Sequence, residues 1–119
     1  MPDTYPPVTV SSQKDIRIVE FTHSKILDEG NISEIEQVML KLIGERDQPK
    51  LLLDFAAVDH MSSAALGKLI NAYHEIKRKN GQLRLANIKP QIFEIFVITK
   101  LNKLFKILPT RQEALGSFT

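Results

Sequence analysis

The sequence predicts an α/β fold, with a mixed sheet of four or five strands and helices packed on it. Two observations favour this class. Segments with the pattern of strands alternate with segments of helical periodicity, in the order ββαβαβαβ(α). The compact apolar run of Leu51, Leu52, Leu53 and Phe55 is typical of a strand that is covered on both faces. Because strands and helices alternate, we expect parallel neighbours joined by right-handed helical crossovers.

The beginning of the chain is predicted to hold a tail and a hairpin. Residues 1–7 contain three of the six prolines, and we expect them to form a loose tail before a single domain over residues 8–119. Residues 8–12 and 15–22 have the apolar content of two short strands and are close enough to pair as a hairpin.

The remaining elements follow from capping and stop signals. Asn31 and Glu34 have the spacing of a capping box, which predicts a helix over about 32–45 with apolar residues at a period of 3.6. Asn80-Gly81 is a typical helix stop, where Gly81 is expected to adopt a positive φ. The same kind of pattern predicts strands at 50–55, 82–87 and 106–108 and helices at 64–79, 90–99 and 111–115.

The apolar positions of these segments define a predicted core. We expect its buried members to include Leu51, Leu53, Leu66, Leu69, Ile76, Leu83, Leu85 and Phe96. Packing in the core is also the simplest interpretation of the later apolar residues Phe93, Leu101, Leu104 and Phe105.

Composition excludes several classes of protein. At 119 residues, with 43% hydrophobic and 25% charged residues, the chain is typical of one globular domain. A formal net charge of +2 is too small to predict a nucleic acid or an anionic membrane as the partner. Cysteine is absent, which excludes disulfides and thiolate metal sites. No segment has the layout of a signal peptide or the length of a membrane span, so we expect a cytoplasmic protein.

Two adjacent serines mark the most informative position in the chain. Ser62 and Ser63 follow the strand at 50–55 and a short loop, and either hydroxyl can cap the helix that begins near Ala64. Loops at the carboxyl ends of strands are where ligands and partners usually meet an open α/β sheet. We therefore expect function at this corner, where two hydroxyls lie near a positive helix end.

Four segments in a fixed order carry a family resemblance. They are Asp54 at a strand end, Leu66-Gly67 inside a helix, Asn80-Gly81-Gln82-Leu83 before a strand, and the closing segment from Thr99 to Phe105. This order resembles the STAS domain family, specifically its single-domain anti-sigma factor antagonists, most strongly over residues 50–116. The family motifs are D-S-[ST]-G-L-G, G-G-x-L and G-L-x-x-[LI]-[FI]. In the last of these, Lys100 stands where glycine is usual.

The first motif departs from the family pattern at its functional position. Aligned on Leu66-Gly67, the family's D-S-[ST]-G falls on Ser62, Ser63, Ala64 and Ala65. The usual phosphoacceptor position is thus occupied by Ala64, which has no hydroxyl. Ser63, with Ser62 as the second choice, is the remaining phosphoacceptor candidate, because phosphate is favoured at a helix N-terminus.

The resemblance implies a binding module rather than an enzyme. Its partner would be an anti-sigma factor of the serine-protein kinase type, and competition for that protein would release a sigma factor. We expect no cofactor, no metal, no direct contact with nucleic acid, and a monomer or weak dimer. The expected partner-binding residues are Asp59, His60, Met61, Ser62, Ser63, Ala64, Ala65 and Lys68.

Several alternatives remain open on the sequence. Ser63 could be a displaced phosphoacceptor, the domain could bind its partner constitutively, or it could be a scaffold for another partner without a switch. The serines could also serve only as helix caps. A different assembly is possible as well, in which the chain is a STAS subunit of a larger sensory or transport-associated complex.

Enzymatic and metal-binding hypotheses have weaker support. A small hydrolase that uses Ser63 with His60 would lack a recognisable orienting acid. Asp54 and Asp59 could chelate Mg²⁺, but no third acidic group accompanies them, and Asp54 is better interpreted as a strand-end residue that accepts backbone N–H bonds. The three histidines lack metal-site spacing. The regularly spaced Lys100, Lys103 and Lys106 are interpreted as a solvated face.

Overall fold

Residues 6–119 are described by a computed structural model, and within them the chain forms seven strands and four helices. The strands are β1 Val8–Gln13, β2 Ile16–Phe21, β3 Lys25–Ile26, β4 Lys50–Asp54, β5 His60–Met61, β6 Gln82–Ala86 and β7 Lys106–Leu108. The helices are α1 Glu29–Gly44, α2 Ser63–Arg78, α3 Pro90–Ile98 and α4 Arg111–Gly116, with a 3-10 turn at Leu101–Lys103.

Five of the strands form one mixed sheet in the order β1-β2-β4-β6-β7. β1 and β2 are an antiparallel hairpin, and every later pair in this sheet is parallel. The predicted α/β class with a mixed sheet is therefore confirmed. A separate parallel pair, β3 with β5, was not predicted, because two residues are too few to show an alternating pattern.

β4 lies in the middle of the sheet and is covered on both faces. Leu51 and Leu53 pack in the cluster that also receives the buried residues of α1, α2 and α3. Leu52 points to the other face, where it packs with Ala114 of α4. All eight predicted core residues are buried. Phe93 is not, since 40% of it is exposed on the outer side of α3, so that part of the predicted core was wrong.

The start of α1 corrects the predicted capping box. The helix begins at Glu29, three residues before the predicted position, and its N-cap is Asp28. An Asp28 carboxylate oxygen accepts a hydrogen bond from the Asn31 N–H at 3.0 Å. Asn31 is therefore inside the first turn, and both Asn31 and Asp28 are residue types that cap helices well, which is why the sequence pattern was ambiguous.

The stop after α2 also differs from the expectation. Asn80, not Gly81, adopts the left-handed conformation, with φ of 59°. Glycine is required at position 81 for a steric reason instead. A Cβ there would clash with the carbonyl oxygen of Pro49 and would lie 2.8 Å from the Cδ atom of the same proline. This close approach lets the Gln82 N–H donate to the same carbonyl at 2.8 Å, at the start of β6.

The predicted tail over 1–7 falls mostly on residues 1–5, which lie outside the described part of the chain. The carbonyls of Pro6 and Pro7 accept hydrogen bonds from the Thr22 hydroxyl (2.7 Å) and the Thr22 N–H (3.0 Å). These contacts join the entrance of β1 to the end of β2. Within the residues described, no helix has both the length and the apolar character needed to cross a membrane.

Asp54, at the end of β4, holds several elements together. One carboxylate oxygen accepts from the Ala56 N–H and from the Asn87 side chain, both at 3.0 Å. The other accepts from Nε and Nη2 of Arg111, both at 2.8 Å. The expectation that Asp54 accepts a backbone N–H bond is confirmed, but the contact with Arg111, from the opposite face of the sheet, was not predicted.

Arg111 also contacts Glu20 of β2 at 3.1 Å. Burial lowers the pKa of Arg111, but its hydrogen bonds to Asp54 and Glu20 outweigh this effect, so that the pKa lies above its usual value. The guanidinium therefore stays charged, and it compensates an Asp54 side chain that is only 4% exposed.

We predict that Arg111→Ala lowers the free energy of unfolding by about 2–3 kcal/mol, since it leaves a buried carboxylate without its cation. The matched control is Arg78→Ala, which removes an exposed ion pair with Glu75 and should leave the free energy of unfolding almost unchanged. Urea unfolding of both variants measures the difference. Equal losses of unfolding free energy in the two variants would show that the ion pair between Arg111 and Asp54 stabilises the fold no more than an exposed surface ion pair does.

Candidate functional site

The corner between β4 and α2 is held in place by two buried side chains. Phe55 and Val58 are fully buried, and the Phe55 ring packs against Phe21 with the ring centroids 4.8 Å apart. The Val58 N–H donates to the Phe55 carbonyl at 2.9 Å, which closes a turn between them. The loop is thus fixed to the core although its neighbours Ala56 and His60 are exposed.

The second half of this loop is hydrogen-bonded to the segment before α1. The Ser24 carbonyl accepts from the N–H groups of Asp59 (2.7 Å) and His60 (3.0 Å). The Ile26 carbonyl accepts from the Ser62 N–H at 3.1 Å. β3 and β5 therefore deliver the chain to the start of α2 in one defined position.

Ser62 is the N-cap of α2, which decides between the two predicted capping residues. Its backbone is extended (φ −83°, ψ 164°), and its Oγ accepts from the Ala65 N–H at 3.2 Å. Ser63 and Ala64 are in the first turn, and both are exposed. No acidic residue lies in that turn, so the positive end of the helix dipole is not neutralised by the helix itself.

The other residues expected at this surface occupy different environments. Met61 and Lys68 are half-buried, and the Lys68 ammonium lies 3.2 Å from the Glu36 carboxylate of α1. Ala65 is only 6% exposed and packs in the core, so its side chain is not presented to the surface. The exposed part of the corner is formed by His60, Ser63 and Ala64.

Asp59 forms an ion pair across the corner. Its carboxylate accepts a hydrogen bond from the ammonium group of Lys89, the residue that directly precedes α3. This hydrogen bond holds the pKa of Asp59 below its usual value against a smaller opposing effect of desolvation, and the charges of Lys89 and His60 act in the same direction. Asp59 is therefore ionised at neutral pH and joins β5 to α3.

The carboxylates do not form a metal site. The oxygens of Asp54 are occupied by protein donors, and Asp59 is paired with Lys89. Within residues 6–119 no group of three His, Cys, Asp or Glu side chains is arranged to hold a metal ion. A nucleophilic serine and its general base have to be hydrogen-bonded to each other. In the same part of the chain, Ser63 and His60 form no such hydrogen bond.

The structure adds a groove that the sequence did not predict, between the corner and α3. It has a volume of about 320 Å³ and a mostly apolar lining, formed by Leu27, Met61, Ile92 and Ile95 together with Asp59, His60 and Gln91. Leu27 is 51% exposed. The signal for this groove in the sequence is the apolar character of α3, of which Phe93 and Phe96 were considered, as core residues.

Lys100 is itself a departure from the family resemblance, and its backbone conformation is unusual for a lysine. It adopts a left-handed conformation, with φ of 63°, at the position where the family usually has glycine. Glycine adopts this conformation without steric cost, whereas a lysine there is strained. Lys100 therefore adopts the conformation for which glycine is the favoured residue, at a position where the resemblance leads one to expect glycine.

Comparison with known proteins agrees with this geometry. The STAS domain family matches residues 8–114. BtrV of Bordetella bronchiseptica, a protein named as an anti-sigma factor antagonist, is 27% identical over 90 residues, which are 74% of this chain and 78% of that protein.

Solved structures give the same result for the fold. An anti-sigma factor antagonist (STAS) domain protein from Planctomyces limnophilus superposes with a TM-score of 0.86 at 20% identity, covering 98% of this chain and 100% of that one. An anti-sigma factor antagonist from Mycobacterium paratuberculosis superposes with a TM-score of 0.80 at 22% identity, covering 93% and 92%. With the family match spanning nearly all of the described residues, this chain belongs to the STAS domain family.

Proposed function

We propose that this protein is an anti-sigma factor antagonist, which binds an anti-sigma factor of the serine-protein kinase type and thereby releases a sigma factor. The family match over residues 8–114, together with the similarity to BtrV, is the observation that carries this proposal. The function would be binding and not catalysis, carried out in the cytoplasm by a single domain over residues 8–119 that works as a monomer or weak dimer.

The exposed corner at the start of α2 is the proposed centre of contact. His60, Ser63 and Ala64 are accessible there, and the backbone behind them is fixed by β3 and by the buried side chains of the loop. A rigid surface loses little conformational entropy when a partner binds. The small side chains of Ser63 and Ala64 also allow a partner to approach the first turn of the helix closely.

Regulation would differ from the pattern that the family resemblance implies, because Ala64, which the alignment on Leu66-Gly67 places at the phosphoacceptor position, has no hydroxyl to accept phosphate. We propose that this domain binds its partner constitutively. Ser62 is a poor substitute acceptor, since its Oγ is used to cap the helix through the Ala65 N–H. Ser63 is exposed and does not cap, so it is the residue at which a displaced phosphorylation would occur.

The proposal is tested by finding the partner and then measuring the binding. Affinity capture from the cells that encode this protein, followed by mass spectrometry, should recover a protein with a serine-kinase-type ATPase domain. That protein, expressed and purified, should bind this chain in calorimetry and release its sigma factor in a competition assay. Failure of the purified kinase-type protein to bind would contradict the proposal.

We predict that Ser63→Glu weakens binding to this anti-sigma factor at least tenfold while the fold stays intact. Glutamate in the first turn of a helix is favourable for the helix dipole, by about 0.3–1 kcal/mol, so thermal stability should be unchanged or slightly higher. The bulk and charge would nevertheless obstruct a closely packed contact. Calorimetry and thermal unfolding measure the two effects separately.

The matched control for this variant is Gln112→Glu. It adds the same charge to the first turn of α4, which lies on the other face of the sheet and is exposed. We expect this control to bind like the wild type. Equal weakening by both variants would place the contact elsewhere, and unfolding of Ser63→Glu would show that the corner is part of the core.

We also predict that the wild-type protein gains no phosphate when incubated with the cognate kinase and ATP, whereas Ala64→Ser gains one. The new hydroxyl would lie in the first turn of α2, where a dianion is favoured. Intact-mass spectrometry distinguishes the two proteins. Stoichiometric phosphorylation of the wild type that Ser63→Ala abolishes would instead establish a displaced acceptor.

A further inference from the structure

α3 exposes more apolar surface than a helix in contact only with water needs to. Phe93, Val97 and Ile98 are 40%, 45% and 72% exposed, and together they make up half of the large hydrophobic residues that are exposed in the described part of the chain. The helix carries one charged residue, Glu94, and no basic residue. Several exposed apolar side chains on one helix are typical of an interaction site.

One flank of α3 continues the apolar groove described above. Ile95 lines the groove together with Leu27 and Met61. Ile98 follows Ile95 by three residues, so it lies one turn further along the same flank. Leu27, Met61, Ile95 and Ile98, which we call the α3 groove, therefore form a strip that starts at β5 and runs to the end of α3.

The charges at the two ends of the α3 groove have one sign. Lys25 pairs in register with His60 at one end, and Lys100 follows the helix at the other. Within residues 6–119 neither lysine has an ion-pair partner. Asp59, which lines the groove, is neutralised by Lys89. The acidic residue of α3 itself is Glu94, which has no ion-pair partner within residues 6–119.

We propose that the α3 groove is a second contact area for the anti-sigma factor, and that it receives apolar side chains flanked by acidic residues. This inference rests on the proposed function, because it assigns chemistry to the same partner. The α3 groove is continuous with the α2 corner through His60 and Met61, so one protein surface can cover both. The part of it that Leu27, Met61 and Ile95 line has a volume at the low end for ligand pockets, which suits one or two side chains. The unpaired Lys25 and Lys100 near its ends favour acidic neighbours.

The apolar part is tested with the double variant Leu27→Ser/Ile98→Ser, using the purified anti-sigma factor in calorimetry. Because buried apolar anchors carry most of the energy of an interface, we expect binding to weaken at least tenfold. The matched control is Leu40→Ser/Val10→Ser, in which both residues are 40% exposed but lie on α1 and β1. This control should bind like the wild type, and both doubles should keep the wild-type unfolding midpoint.

The charged part is tested by association kinetics at low salt. Lys25→Glu/Lys100→Glu should slow association at least threefold, and this effect should shrink as salt is raised. The control Lys14→Glu/Lys41→Glu makes the same charge change and, like the test variant, includes one lysine in the left-handed conformation. Equal slowing by both doubles would show that only net charge matters and would overturn the electrostatic part.

The outcomes separate this inference from the proposed function. If Ser63→Glu weakens binding and the Leu27/Ile98 variant does not, the α3 groove is not a contact area although the function stands. If the wild-type protein does not bind the anti-sigma factor at all, the proposed function itself fails. If light scattering shows a dimer of the isolated chain that Leu27→Ser/Ile98→Ser dissociates, the occupant is a second copy and the proposal is overturned.

Discussion

The position of the candidate site depends on the hydrogen bonds of one buried carboxylate. A buried charge is costly unless it is paired and its remaining lone pairs are satisfied. Asp54 meets this condition with donors from the loop that follows it, from the residue after β6 and from α4. Each of these donors has to be in place for the charge to be tolerated, so Asp54 couples the geometry of three separate segments at the carboxyl edge of the sheet.

This coupling joins two faces of the molecule that have different roles. The helices α1, α2 and α3 cover one face of the sheet, and the proposed contact surface is formed on that side. α4 covers the other face, where Arg84 also packs over the ring of Phe118 at 5.0 Å. The loop that leads to α2 is therefore supported from behind, through Asp54, by a helix that takes no part in the proposed contact.

Sequence patterns predicted the parts of this structure that depend on local signals and periodicity. The apolar runs of β4 and α2 located the core, and the serines located the start of α2. Patterns failed where the deciding factor was a contact between distant residues. Nothing near Gly81 in the sequence shows that Pro49 lies against it, and Arg111 does not reveal that its partner is Asp54.

The candidate site was predictable in its centre but not in its extent. The segment 59–64 is continuous in the sequence, so a family motif could identify it. The α3 groove combines Leu27 with residues of β5 and α3, and only the folded chain brings these together. Ala65 belongs to the same motif, but the helix turns its side chain into the core, as expected for an apolar position of α2.

The parallel topology has a consequence for the order in which the molecule folds. Apart from the β1–β2 hairpin, neighbouring strands of the sheet are joined by helical crossovers. Residues that pair across these strands are therefore far apart in the sequence, as Ile18 is from Leu52 and Leu51 is from Leu83. Contacts between distant parts of a chain form slowly, since the entropy of closing the loop is lost before the contact is gained. We therefore expect the corner at α2 to acquire its shape late, together with the sheet. A peptide of residues 55–70 would contain most of the exposed side chains of the corner, but not the strands and core contacts that fix their positions.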